Sequence, residues 1–453
     1  MMVQLPRRPT SATPSPYHAL GLKDLPFPTT AISDPYNSDP RRNGTIYAIE
    51  SIRTSIDKFE RLLIRPNDFQ NRARLAYLWS RGDQESGRGI GKTALLRYFR
   101  QRINHDWGQT EYKGAFSAVV VYVSFSTQVD RRWIEQLALS ALVDICKNGV
   151  LESSRAALRL EQLTPQQAQD IITESDGTES PANLLDDSLL ADRGVDVASI
   201  DNAVYEFLVQ EGVKPASALA LSQGNFEDHL KSYRRDYALV PFYIPRDTKI
   251  LDYARDLLFN DIVLYLRAAG FAGGYLFIDD IENLVDQMPR RYRIEFAKEF
   301  AICTMRPGYA SGTHNFFSCV LTTHLQASVA LAAAWGEAGL TGIARLDPND
   351  PNSVELPLPS VDQAKGIIVA HLDHYRMNSA ENGSISPFTE DGISALLNNR
   401  QHPRILLSTA ALVVSNAAQE GITSIDATAV NKTIESGAVQ SSPDYTEGIE
   451  GAF

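Results

Sequence analysis

Cysteine is nearly absent: three residues, Cys146, Cys303 and Cys319, in a chain of 453. Their wide spacing in apolar surroundings fits no disulfide framework or metal-ligand pattern and favours core packing in a reducing compartment. A basic surplus is also missing. Lys and Arg number 43 against 55 Asp and Glu, a net charge of −12, which opposes nonspecific attraction to nucleic acid or an anionic membrane. Any DNA contact must therefore use a local basic patch. No apolar run is long enough to span a bilayer, the longest lying near "SVALAAAW". The first residues lack the apolar core of a signal peptide. No membrane association and a cytoplasmic location are expected.

The remaining composition is that of an ordinary globular protein, long enough for a sizeable core in two or three domains. Residues 1–45 are rich in Pro, Ser and Thr with little periodicity, which predicts a disordered or loosely docked lead-in. Ile49, Ile52, Ile56, Phe59 and Leu63 then recur at helical spacing until Pro66. "LAYLWS" (75–80) reads as a buried strand, and "ALLRYFRQRI" as the helix after the loop that follows it. "SAVVVYVSF" (117–125) is a continuous β-branched run, the pattern of a strand covered on both faces, and a helix is predicted over 131–148. Residues 150–245 change to polar, helical patterning with the acidic break "TESDGTESPANLLDDS", which predicts a helical insertion.

An amphipathic helix over 248–268 leads back to a third strand in "GGYLFIDDIENL". "NFFSCVLTTH" (315–324) is a fourth strand and "SVELPLP" (353–359) a short fifth. Strands alternating with helices predict an α/β fold with a parallel, doubly wound sheet. Residues 360–436 are wholly helical in pattern, a four-helix unit, and 437–453 read as a flexible tail.

Two stretches carry chemistry. In "RGDQESGRGIGKTALLRYF" (81–99), glycines at 87, 89 and 91 precede Lys92, Thr93 and a helical run. Small residues let backbone N–H groups point at oxyanions, and the helix start adds partial positive charge. Lys92 would reach the β- and γ-phosphates of a nucleotide, and Thr93 would hold Mg²⁺. In the second stretch, Tyr275, Leu276, Phe277 and Ile278 lead into Asp279 and Asp280, at the strand end where parallel sheets bind ligands. Asp279 would bind Mg²⁺, directly or through water, and Asp280 would polarise an attacking water. A strand ending in two acids is often only a solvated turn; the two motifs in this order and on these elements point to an ATP or GTP site.

With these motifs the chain resembles an AAA+ P-loop ATPase. It is most similar to the initiator clade of origin-recognition proteins and to ATPases of phage-defence and transposition systems, over about residues 45–436 apart from the insertion. The resemblance implies an ATPase core in 46–149 and 246–359, the insertion in 150–245 and a helical lid in 360–436. It implies ATP bound by Ser86, Gly87, Arg88, Gly89, Ile90, Gly91, Lys92 and Thr93, with Mg²⁺ on Thr93 and Asp279. The polar strand end at Thr322 and Thr323 fits sensor 1, with Thr323 the catalytic candidate. "NRQHPRILL" is similar to the start of the helix that carries sensor 2, at Arg404. Threonines also cap strands routinely, and an arginine at a helix start is often a solvated charge. Arg345, in "TGIARLDP", stands where the family supplies an arginine finger to a neighbouring subunit, implying a homo-oligomer; a surface salt bridge is the competing role. Arg290, Arg291, Arg293 and Arg306 are alternative fingers or a basic face for a partner or DNA.

Three features depart from the family. Ser86 stands at the first glycine position, and Asp280 replaces the usual Glu, so slow hydrolysis to ADP and phosphate is expected. No winged-helix segment follows the lid, so DNA binding is not carried over and DNA contact stays open. The expected function is an oligomerising ATP-driven switch or motor serving a DNA transaction such as genome defence or mobile-element activity. The alternative is a KAP- or STAND-like signalling or scaffold ATPase, in which an Asp-Asp pair is commoner and nucleotide sets an assembly state. The insertion is the expected partner-protein site: Ile200, Val204, Phe207 and Leu208 recur at helical intervals beside "KSYRRDY". Packing of those residues on the chain's own core is the other reading.

Overall fold

The computed structural model describes residues 15–29, 38–64, 72–80, 89–107, 118–124, 133–173, 180–232, 248–282, 288–306, 316–398 and 402–436. The chain divides into two compact units, one of Met1–Arg53, Gly89–Ala94 and Pro357–Phe453, the other of Thr54–Arg88 and Leu95–Leu356. No helix among the described residues is long and apolar enough to cross a membrane.

The larger unit is mixed α/β around a five-stranded sheet. Its strands are β1 (Leu75–Ser80), β2 (Ala118–Ser124), β3 (Gly273–Asp279), β4 (Phe317–His324) and β5 (Ser353–Glu355), in spatial order β2-β3-β4-β1-β5. Every pairing is parallel. Parallel strands need crossovers, and the helices that supply them cover both faces. This is why every residue of β1, β3 and β4 is buried. Two large polar-tipped side chains inside the core are matched: Tyr77 donates to Ala344 O at 3.1 Å and accepts from Trp335 Nε1 at 2.8 Å, and Trp79 Nε1 donates to Ser353 Oγ at 3.0 Å. The helix Arg53–Leu63 buries Ile56, Phe59 and Leu63. Phe59 stacks on Phe99 at 4.4 Å and meets Phe277 edge-on at 6.1 Å.

Residues of the insertion share this core rather than forming a separate one. Leu158, Leu190, Ile200, Val204 and Leu208 are buried in the same cluster as Leu276, Ile278 and Leu321, with Phe207 packed against it. Of the two roles considered for Ile200, Val204, Phe207 and Leu208, the structure shows the chain's own core. The fully buried Arg159 guanidinium is satisfied by Asp201, Asp187 and Leu184 O. The described part of the insertion is thus internally cross-linked, while most of "KSYRRDY" lies outside the described residues.

In the other unit, the helices Val361–Tyr375, Glu390–Leu397, Pro403–Glu420 and Ala427–Glu435 start on side-chain caps at Ser360, Thr389 and Asp426, and with proline at the first position of the third. Within the expected lead-in, the described residues 15–29 are docked rather than disordered. Leu20, Leu22, Leu25 and Phe27 are buried in one core with Ala364, Ile368, Leu372, Leu406 and Val430. Met377 N donates to Gly21 O at 2.9 Å and Lys23 N to Tyr375 O at 2.7 Å, so the segment is stitched to the end of Val361–Tyr375. Residues 437–453, the expected tail, lie outside the described residues.

His371 joins these two parts. Its ring lies 5.8 Å from Phe27, and Nδ1 donates to Pro26 O at 3.0 Å, the carbonyl being able only to accept. Burial pushes its pKa down to about 4, despite the opposing bond to Pro26 and with His374 and Arg41 adding to the depression. The folded state therefore holds the neutral ring, and the unfolded chain binds the extra proton. Stability is fully present above the ordinary histidine value of about 6.5 and falls as pH drops toward 4, by on the order of 2–3 kcal/mol. Chemical denaturation at stepped pH should show this slope in the wild type, and a shallower one between pH 6.5 and 4 in His371→Gln.

Candidate functional site

The parallel sheet brings the carboxyl ends of β1, β3 and β4 to one edge, at Ser80, Asp279 and His324. β1 ends at that edge, and the glycine segment follows it in sequence. Ser86, Gly87 and Arg88 lie outside the described residues.

On β3 the final residue, Asp279, is 1 % exposed. The register sets Ile278 opposite Leu321 and so brings Asp279 alongside Thr322. Thr322 Oγ1 donates to Asp279 Oδ1 at 2.6 Å. Asp280 N donates both to Asp279 Oδ1 at 3.1 Å and to Thr322 Oγ1 at 2.9 Å. Asp280 has φ +56°, the one non-glycine residue with positive φ among the described residues. That conformation costs a side-chain-bearing residue roughly 1–2 kcal/mol, and aspartate tolerates it better than most.

The threonine pair separates as strand alternation requires. Thr322 reaches the acids, whereas the Thr323 hydroxyl is buried and, among the described residues, reaches His324 O at 3.4 Å. Of the two threonines at this strand end, Thr322 is the one that bonds to Asp279 and to the Asp280 amide. Glu282, two residues past Asp280, is also buried at this end of β3, and sequence reasoning missed it. Among the described residues no group of three or more His, Cys, Asp or Glu could hold a metal. A magnesium ion here would rely on one carboxylate, a hydroxyl and substrate phosphates, the usual economy for that ion.

The glycine segment is described within the other unit. Gly89 and Gly91 have φ +78° and +108°, backbone that glycine alone adopts without cost. Lys92 opens the helix Lys92–Gln101 and is buried; Ile90 and Thr93 are half-buried beside it. The first N–H groups of a helix lack partners within it and are suited to an anion. Arg404, at the second position of Pro403–Glu420, stands directly against Gly89. A Cβ on Gly89 would fall 2.8 Å from Arg404 Cβ, 3.0 Å from its Nε and 2.8 Å from His402 Cε1. Tyr47 Oη lies 3.8 Å from the corresponding position on Gly91. Sequence reasoning singled out neither His402 nor Tyr47; the first sits inside the quoted "NRQHPRILL", the second carries no motif signal.

The arginines sort by their partners. Arg293 donates to Met288 O and Ala330 O, and Arg306 to Ala338 O at the end of the helix Leu325–Ala338. Arg290 and Arg291 are exposed and pair with Glu337 and Glu295. Arg345 is exposed, its backbone N–H held by Asp350 Oδ2 at 2.8 Å, and its side chain has no ion pair among the described residues.

Neither the protein-family models nor the curated proteins contain a match to this chain.

Gly421 provides a control for the Gly89 approach, with φ +71° and open space where a Cβ would be. Both Gly→Ala variants carry the conformational cost of about 1 kcal/mol or more. Gly89→Ala should lose clearly more stability than Gly421→Ala in denaturant titrations, since Arg404 or the loop must also move.

Proposed function

We propose that the protein is a P-loop ATPase of AAA+ type. The observation that carries this reading is the packing of Arg404 on Gly89. The arginine expected to sense nucleotide and a glycine of the expected phosphate loop, far apart in sequence, meet side chain to backbone. The Asp279–Thr322 bond at the carboxyl edge of the sheet supports it from the other unit.

In this reading the triphosphate is held by the backbone N–H groups of 86–93 and the start of Lys92–Gln101, with Lys92 on the β- and γ-phosphates. Thr93 and Asp279 would hold Mg²⁺, whose charge would offset that of the phosphates. Asp280 accepts a hydrogen bond from the attacking water. The new P–O bond forms as the bond from the γ-phosphorus to the β–γ bridging oxygen breaks, leaving ADP and phosphate. Arg404 answers to the γ-phosphate, so hydrolysis becomes a conformational signal. Arg345 acts in trans, in a homo-oligomer, and its lack of an ion pair among the described residues favours it over the four arginines already engaged.

The protein serves a DNA transaction, such as genome defence or mobile-element activity, in the cytoplasm. The Asp279-Asp280 pair favours a second reading, a signalling or scaffold ATPase of KAP or STAND type. Stimulation of turnover by double-stranded DNA separates the two, supporting the first and counting against the second. A partner protein of the insertion would meet its polar outer faces, because Ile200, Val204 and Leu208 are spent in the core.

Lys92→Ala should weaken Mg²⁺-dependent ATP binding by on the order of 10–100-fold, the worth of hydrogen bonds to charged groups. Calorimetry showing unchanged affinity would refute the phosphate-loop assignment. Asp280→Asn should bind ATP normally and lower single-turnover hydrolysis by about 10²-fold or more.

Arg345→Ala should also leave ATP affinity intact while reducing kcat by about 10³-fold or more. Wild-type turnover should rise faster than linearly with protein concentration. A strictly linear rate from a monomeric enzyme, measured with light scattering in ATP, would remove the trans role.

A further inference from the structure

We infer that Thr322 is a positioning residue for Asp280, locking its backbone in the left-handed conformation that aims the carboxylate, and is not a reader of the γ-phosphate. The inference rests on the ATPase reading for its catalytic consequence, and on geometry alone for the lock.

A threonine hydroxyl has a single proton to donate. Here that proton is committed to Asp279 Oδ1 at 2.6 Å, in a pocket where Thr322 is fully buried. The same oxygen accepts from Asp280 N at 2.9 Å. Asp279 Oδ1 receives that N–H as well, at 3.1 Å, so three groups close a small ring around one backbone amide. Asp280 stands at φ +56° at that amide. A hydroxyl that sensed phosphate would have to turn its proton outward, which would release Asp279.

The consequence follows from how a chain leaves a strand. Had Asp280 continued the extended backbone, its Cβ would project across the sheet opposite to Asp279. The left-handed turn instead redirects the Cα–Cβ bond. The direction of the carboxylate is therefore set by a backbone angle that Asp280 does not favour by itself, and the hydroxyl of Thr322 and the carboxylate of Asp279 hold it there. Since aspartate is one methylene shorter than glutamate, it has less side-chain freedom with which to correct a misaimed backbone. This makes a clamp on φ more consequential here.

The test uses the full-length protein and three substitutions at one position. Thr322→Val keeps the shape and removes the hydroxyl. It should lower kcat for ATP hydrolysis by roughly 10–100-fold, the range expected for a lost hydrogen bond to a charged group, with affinity for ATP measured without Mg²⁺ unchanged. Thr322→Ser restores the hydroxyl and should return kcat close to wild type. Thr322→Ala replaces the valine variant if the latter does not fold. A crystal structure of the hydroxyl-less variant should show Asp280 at negative φ. Wild-type kcat in that variant, a parallel loss of ATP affinity measured without Mg²⁺, or failure of serine to rescue would each overturn the positioning role, as would Asp280 remaining at positive φ. If the wild type hydrolyses no ATP, the catalytic role falls together with the ATPase reading. A change in Asp280 φ in the variant would still uphold the lock.

Discussion

The acidic end of the candidate site depends on one constraint, the hydrogen bonding of β4 to a parallel neighbour on each side. A strand engaged on both edges and covered on both faces can carry no charge along its length, and β4 accordingly carries its His324 at the carboxyl end, after Thr322 and Thr323. There β4 delivers Thr322 to the last residue of β3. β1 ends on the same edge, and the glycine segment follows from it. Had β4 joined the sheet outside β3 rather than between β3 and β1, Asp279 would still lie beside Thr322. The strand that feeds the glycine segment would then end elsewhere along the edge.

Much of this was legible beforehand, for a physical reason. Burial on both faces produces unbroken apolar runs, and "LAYLWS" marks β1 to the residue. The runs around β2, β3 and β4 were equally plain. The four closing helices could be read because each shows regular spacing between recognisable caps. The choice between Thr322 and Thr323 could not be made, since adjacent residues differ only in the face they occupy. That face is set by register with β3, a pairing some forty positions distant that leaves no local trace. The lead-in was missed for the opposite reason: Leu20, Leu22, Leu25 and Phe27 follow neither a helical nor a strand period, so only tertiary packing reveals them as core.

The insertion shows a related limit. Its helical period was visible, but an apolar stripe does not say what covers it. Here the cover is the same core that lies under β3 and β4, and Arg159, an arginine that composition would assign to the surface, is fully enclosed by Asp187 and Asp201. Removing the less exposed Asp201 takes two of the bonds to this buried guanidinium, so the Arg159–Asp201 contact holds this part of the insertion to one arrangement.

The core of the helical unit draws on the earliest described residues, Leu20 to Phe27, and on late ones reaching to Val430. During synthesis the chain must therefore have emerged as far as Val430 before that core can close, whereas the strands of the sheet are all available by Glu355. Contacts so distant in sequence form slowly because a long loop must close before they reward it. The apolar side chains of the lead-in thus wait longest for their partners, and the nascent chain has its greatest need of chaperone cover at its beginning rather than at its end.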